Sequence, residues 1–433
     1  MSCRGFAASR LTSAKVSALG APNVRPFAAR VPPLYRLLEK CHGVCVDFAR
    51  VGLSDDDRAF QDELRVFLRT IVTDDVIARD RQTGENFDEG VHLAVGARGY
   101  LAADWKVEAD GGFSALRRRI WELEIGRARA PWFHWGTTAM VAKTVDQFGS
   151  PELKQEVLPQ VLSGHFRLCL GYTEPEGGSD VATCKTRAVR DGDGWIINGS
   201  KMFTSNAHNA QYVFLVTNSD PEAPKHQSLT MFLVPLETPG VDIQPIRTVD
   251  GDRTNITYYS DVRIDDKYRV GEVNGGWTVL REALNAEHGT VERDAHGLQK
   301  LAAMTGHLVL LAEAVDRVAA TARLDDDSVK YRLGRSVAKL EAAMSTPEMF
   351  GRVAIAQTLR DVSPDLMDLQ GAASGLPVGT EGAADDGAAE YIFRLASPTG
   401  IYGGTLEVFR NMIAQRALGL GRPNYSPAVK QRT

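Results

Sequence analysis

Residues 397–423, SPTGIYGGTLEVFRNMIAQRALGLGRP, read as a glycine-rich turn running straight into an amphipathic helical pattern. Gly403 and Gly404 follow Tyr402, so this turn offers backbone amides but neither acid nor base at those two positions. A second loop, TEPEGGSD at 173–180, combines the Thr173 hydroxyl, an extended Glu-Pro step, two glycines and the Ser179 hydroxyl before an acid. Such a loop can present amide and hydroxyl donors to an electron-rich heterocycle or a phosphate; an ordinary helix-to-sheet turn is the plain alternative. Glu292 and His296 share an i, i+4 spacing, but the doubled Glu-x-x-His pattern of a di-iron site is absent. No GxGxxG follows a strand pattern, and neither GxSxG nor HExxH occurs. GWIINGSK (194–201) approaches a phosphate loop, yet Ser200 precedes Lys201 and the segment reads as a hairpin strand.

These residues need a scaffold, and 433 residues allow two or three structural domains with a sizeable core. A formal net charge of -5 supplies no field for nucleic acid or an anionic membrane. The longest apolar runs, such as HLVLLAEAV, fall short of the roughly 20 residues that span a bilayer. Five scattered cysteines suit a reducing compartment better than a disulfide framework or a zinc site, and the i, i+4 pair Cys41 and Cys45 reads as chance spacing. Residues 1–50 carry eight Lys or Arg against two acids, the composition of a mitochondrial transit peptide. VPPLYRLLEK lacks a tidy cleavage site, which favours a disordered leader or an over-extended start and a cytoplasmic location over the mitochondrial matrix.

Folding signals begin at LSDDDRAFQDELRVFLRTIV, where Ser54 can cap a helix with Asp57 at its third position, and Phe60, Leu64, Phe67 and Leu68 share a face. Helical periods continue to about 165, with Pro151 in a first-turn position. From 166 to 272 the pattern changes to short runs rich in Val, Ile, Phe and Tyr, separated by Asp-Gly turns. Helical periods return from 273 to 425, interrupted by a Gly- and Ala-rich stretch, 371–391, expected to be a surface loop, and 426–433 form a tail. The order helix, sheet, helix predicts an α+β chain of three domains behind a basic leader, 1–50.

In that order, YTEPEGGSD, DGDGWIINGSKMFTSNA and IYGGTLEVFRNMIAQRALGLGRP resemble the acyl-CoA dehydrogenase family over roughly residues 52–423. The resemblance implies an N-terminal helical domain, a middle β-sandwich or barrel and a C-terminal helical bundle, with FAD bound between them. It implies that Thr173 and Ser179 bond the flavin ring or lie beside the thioester. Phe203 stands where the family often has a tryptophan on the flavin, Ser205 where it has a hydroxyl near N5, and Thr405 and Glu407 at cofactor-contacting positions. Gln370 matches a glutamine that reaches the FAD of a neighbouring subunit, whereas the usual RxxFG is not visible. The family's base often follows the turn tyrosine, and here that position is Gly403, whose amide would help polarise the thioester carbonyl. Some members carry the base on the preceding helix instead, and GWTVLREALNAEHG puts Glu287 there as the expected general base. A solvated face is the alternative for Glu287, since Glu282, Glu292 and Asp294 are nearby. His288 stands where the family has an arginine that helps place CoA, and Tyr402 lies against the substrate.

The implied activity is α,β-dehydrogenation of an acyl-CoA, with a branched or bulky acyl group suited to the space at Gly403. Electrons would leave through an electron-transfer flavoprotein, from a homodimer or homotetramer. The alternatives are a non-catalytic or half-active subunit of a heteromer with a paralogue, and an oxidase or monooxygenase on the same fold.

Overall fold

The computed structural model describes residues 52–287, 304–346 and 348–421. Helix α1 (Asp55–Ile71) begins as its sequence predicts: Ser54 Oγ accepts the Asp57 N–H at 3.1 Å, and three aspartates stand at the positive end of the helix dipole. Leu64 and Leu68 are fully buried, with Phe60 and Phe67 packed at their margin. Five helices continue the domain: α2 (Asp74–Thr83), α3 (Glu89–Ala97), α4 (Tyr100–Trp105), α5 (Ala115–Arg127) and α6 (Trp135–Phe148). Pro151 opens α7 (Pro151–Leu162) in the first turn, where its missing N–H breaks no helical bond.

The chain then changes period and builds strands β1 (Leu168–Gly171), β2 (Arg187–Asp191), β3 (Gly194–Met202) and β4 (Tyr212–Asn218). Strands β5 (Leu229–Pro235), β6 (Val241–Arg247), β7 (Arg253–Asp265) and β8 (Arg269–Val270) follow. Their order is β6-β7-β3-β2-β4-β5-β8, with β1 parallel to β4 off this path. Strands β2 and β4 pair only at Arg187 and Asn218, so the sheet splays there into two limbs. Ile197, Val213, Leu215, Phe232 and Val262 fill one core cluster drawn from both limbs. Each such side chain contributes about 1.5–3 kcal/mol on burial. GWIINGSK lies on β3 and Lys201 is fully buried, so the near phosphate loop is a strand.

Helices α8 (Gly276–Glu287), α9 (Thr305–Thr321), α10 (Asp327–Met344), α11 (Glu348–Gln370), α12 (Ala388–Thr399) and α13 (Leu406–Met412) complete the α+β architecture. Leu308, Leu311, Val315, Leu359, Leu366 and Ile392 form the bundle core of α9 to α12. Helix α8 instead buries Val279, Leu280 and Ala283 in the core of the N-terminal helices. The stretch expected to be a surface loop is partly helical: 3-10 turns cover Gly371–Gly375 and Ala384–Gly387, and α12 starts at Ala388. Ala389 and Ile392 carry it into the core despite the surrounding small residues. Among the described residues no helix is long and apolar enough to cross a membrane.

Candidate active site

Helix α12 ends at Thr399, and α13 begins at Leu406 under a cap from Thr405, whose Oγ1 accepts the Val408 N–H at 3.2 Å. Between them the chain must reverse in six residues. Gly403 and Gly404 do this with φ of 61° and 95°, in the left-handed region where a Cβ costs roughly 1–2 kcal/mol. The missing side chains are thus a backbone requirement as well as a chemical gap. Ile401 and Tyr402 donate their N–H groups to the Pro398 carbonyl at 2.8 and 3.2 Å. The Tyr402 carbonyl accepts from the Arg352 guanidinium of α11 at 2.7 Å. Burial pushes the Tyr402 phenol up from its ordinary pKa, and the hydroxyl lies 3.3 Å from Thr399 Oγ1.

In the loop after β1, Glu174 is the hub. Its carboxylate accepts from the buried Lys201 ammonium at 2.7 Å, from the Lys185 and Thr186 N–H groups at 2.7 and 2.8 Å, and from Thr186 Oγ1 at 2.7 Å. The Cys184 thiol donates to the same carboxylate at 3.2 Å. Burial alone would raise the Glu174 pKa; the Lys201 charge and these donors outweigh it and hold it at about 2. Next to this hub, the Thr173 carbonyl accepts the Met202 N–H at 2.9 Å, tying the loop to the end of β3. The chain leaves β3 through Phe203 at φ 61°, an uncommon conformation for an aromatic residue, with the ring 54% exposed. Ser205 Oγ and Thr254 Oγ1 share a bond of 2.9 Å. Asn206 is buried at φ 65° with neither end of its amide partnered among the described residues.

Helix packing sets the glycine turn against the N-terminal domain. Phe148, at the end of α6, accepts the Gly271 N–H at 3.0 Å, and α8 then packs back along α6. Glu287, the last residue of α8, therefore lies at the end of this pair where α6 begins. Just before α6, Phe133 meets the Tyr402 ring edge-on at 5.8 Å and stacks on His307 of α9 at 6.0 Å. Burial, and then the Arg352 charge, push the His307 pKa down to about 4, so its ring is neutral at pH 7.

The structure brings Thr173 together with Phe203 and Ser205, and Tyr402 together with Gly403 and Thr405. Ser179 is exposed in the same loop as Thr173, and Glu407 is exposed in the first turn of α13. Gln370 stands apart: it closes α11, eighteen residues and about 27 Å along the axis from Arg352, and donates to Asp385 at 2.6 Å. His288, the Glu292 and His296 pair, and Cys41 and Cys45 lie outside the described residues. Sequence reasoning missed Arg352, Phe133, His307 and Asn206. The run PWFHWG before a helix was a usable signal for Phe133; an arginine inside an ordinary helical period was none for Arg352. The donor set fits a flavin ring system: Thr173 and Ser205 supply hydroxyls, Phe203 an exposed ring face, and Asn206 a buried amide with free valence.

Residues 54–165 match the family described as acyl-CoA dehydrogenase, N-terminal domain, and 169–266 match its middle domain. Acyl-CoA dehydrogenase FadE26 of Mycobacterium tuberculosis is 30% identical over 87% of this chain and 100% of its own length. Acyl-CoA dehydrogenase IpdE1 of Mycolicibacterium smegmatis is 35% identical over 76% of this chain and 87% of its own. Among solved structures, the Tcur3481-Tcur3483 steroid ACAD superposes with a TM-score of 0.75 at 32% identity, covering 87% of this chain and 100% of that one. The ChsE4-ChsE5 complex of Mycobacterium tuberculosis gives 0.74 at 30%, with the same coverage. With relatives this similar over nearly their whole length, and with both family domains in order, the chain belongs to the acyl-CoA dehydrogenase family of flavoprotein oxidoreductases.

Proposed function

We propose that the chain catalyses FAD-dependent α,β-dehydrogenation of a bulky acyl-CoA thioester, with Glu287 as general base and the Gly403 N–H as a donor to the thioester carbonyl. The observation that carries this reading is the Phe133 ring set edge-on against Tyr402 of the glycine turn, with Phe133 two residues before α6, the helix against which α8 packs on its way to Glu287. Glu287 takes the proton from Cα, the freed pair forms the Cα=Cβ bond, and Cβ gives up a hydride. Bound FAD supplies the two-electron acceptor for that hydride, and an electron-transfer flavoprotein then accepts the electrons. Thr173, Ser205 and Phe203 hold the flavin ring, with Ser179 beside it. A donor to the developing oxyanion is worth about 100 to 1000-fold.

Room for a bulky acyl group is supported at three places. Gly403 brings no side chain, a Cβ at Gly136 would meet nothing within 4 Å, and the Phe133 ring is 43% exposed. Similar proteins are described as a steroid ACAD and as the (R)-benzylsuccinyl-CoA dehydrogenase of Thauera aromatica, which points the same way. A second reading, a subunit that completes the cofactor site of a paralogous partner, is favoured by similar structures named as pairs of chains.

Anaerobic titration of the purified protein with straight, branched and polycyclic acyl-CoAs tests both. Wild type bleaches with the bulky substrates, and Glu287→Gln keeps its FAD but bleaches at least about 100-fold more slowly. Equal rates for the two proteins would remove Glu287 from the chemistry. A wild type that holds flavin only when co-expressed with a paralogue establishes the second reading.

A further inference from the structure

We propose that Arg352 is the positioning residue for the Gly403 amide: by donating to the Tyr402 carbonyl from behind, it aims and polarises the N–H across the same peptide unit. This rests on the reading that the Gly403 amide meets the thioester oxygen.

The covalent geometry makes the link. The Tyr402 carbonyl and the Gly403 N–H are the two ends of one planar, conjugated peptide group, and in the trans form they point in opposite directions. A cation on the carbonyl therefore stands on the side away from the N–H, and draws electron density toward the oxygen. Hydrogen bonds that share a peptide strengthen one another in this way. The Arg352 bond is short, at 2.7 Å, and charge-assisted. Its side chain is 2% exposed, so its field is little screened by solvent.

The placement is also specific. Arg352 lies over the Phe409 ring at 5.4 Å, and the Phe409 N–H bonds the Thr405 carbonyl at 3.0 Å. Helix α11 thus grips the residue before the two glycines and the helix after them with one side chain. Gly403 and Gly404 have wide conformational freedom, and nothing in their own chemistry selects the orientation of the intervening peptides. Burial keeps the neighbouring His307 neutral, and the Arg352 guanidinium is the cation bonded to the Tyr402 carbonyl itself.

The test uses the flavin-loaded protein and a 3-thia acyl-CoA analogue, whose α-proton ionises without hydride transfer and yields a long-wavelength charge-transfer band. Wild type, Arg352→Met and Arg352→Lys are titrated with pH, and kcat and KM are measured with a turned-over substrate. Arg352→Met is expected to lower kcat about tenfold with KM nearly unchanged, and to raise the apparent pKa of the bound analogue by about one unit. Arg352→Lys keeps the charge and recovers most of both. If Arg352→Met does not fold, a smaller shift in the same direction in Arg352→Lys, which lacks the planar fork, carries the proposal. Unshifted ionisation in the folded variants, or equal losses in Lys and Met, reduces Arg352 to packing and overturns it. A wild type that bleaches with substrate while Arg352→Met ionises the analogue normally defeats this inference alone; a wild type that neither bleaches nor ionises the analogue defeats the active-site reading, and this inference falls with it.

Discussion

In the loop after β1, the Glu174 carboxylate uses up five protein donors, from Lys201, Lys185, Thr186 and Cys184, and all of them face inward. In the turn after α12, Gly403 and Gly404 bring no side chain, and one guanidinium from another helix holds the carbonyl just before them. The first arrangement closes on itself, so Glu174 can fix the neighbouring Thr173 and Phe203 but has no spare valence for substrate. The second serves the peptide from one side and leaves the other to act. A site that must both hold a ring system and polarise a carbonyl can divide the two tasks in this way: a saturated polar cage for rigidity, and a bare backbone for reach.

The contrast is most strongly tested at Lys201. Lys201→Met leaves the Glu174 charge buried without its ammonium and should cost about 3–5 kcal/mol, read by urea unfolding. The double variant Lys201→Met/Glu174→Gln removes both charges and should regain most of that loss. If the single and double variants are equally unstable, the pair is not the element that holds the loop. At the turn, Gly403→Ala places a Cβ at φ 61° and should cost about 1–2 kcal/mol, with slower anaerobic bleaching as the amide turns away. Unchanged bleaching would separate the backbone strain from the chemistry. The cage also carries a pH dependence. The folded Glu174 pKa of about 2 lies below its ordinary 4.5, so its stabilisation is present above about pH 4.5 and is lost as pH falls through about 2. Glu174→Gln should flatten the pH dependence of stability across that window, in urea unfolding at stepped pH.

Much of the fold was legible because its signals are local. Ser54 and Asp57 are three residues apart, and the cap forms; Leu64 and Leu68 share a helical face, and both are buried. The loop TEPEGGSD could be read as donor-bearing because its groups are contiguous in the chain. What joins them was not legible: the Lys201 ammonium that looked like a failed phosphate loop is the counter-ion of Glu174, and this appears only when β3 is laid beside the loop. The stretch 371–391 was misjudged at its end because alanines and glycines give a helical period little apolar contrast.

The sequence by itself determined the order of helix and sheet, the caps that start the helices, and the identity of the donor-rich turns, since each depends on residues within one or two turns of chain. Tertiary structure alone decided that Arg352 serves Tyr402 across 50 residues, that Phe133 reaches both His307 and Tyr402, and that α8 packs with the N-terminal core. Such pairings follow from which apolar faces find each other on collapse. The polar groups at the edges of those faces are matched by that packing, and no periodicity in the chain records the match.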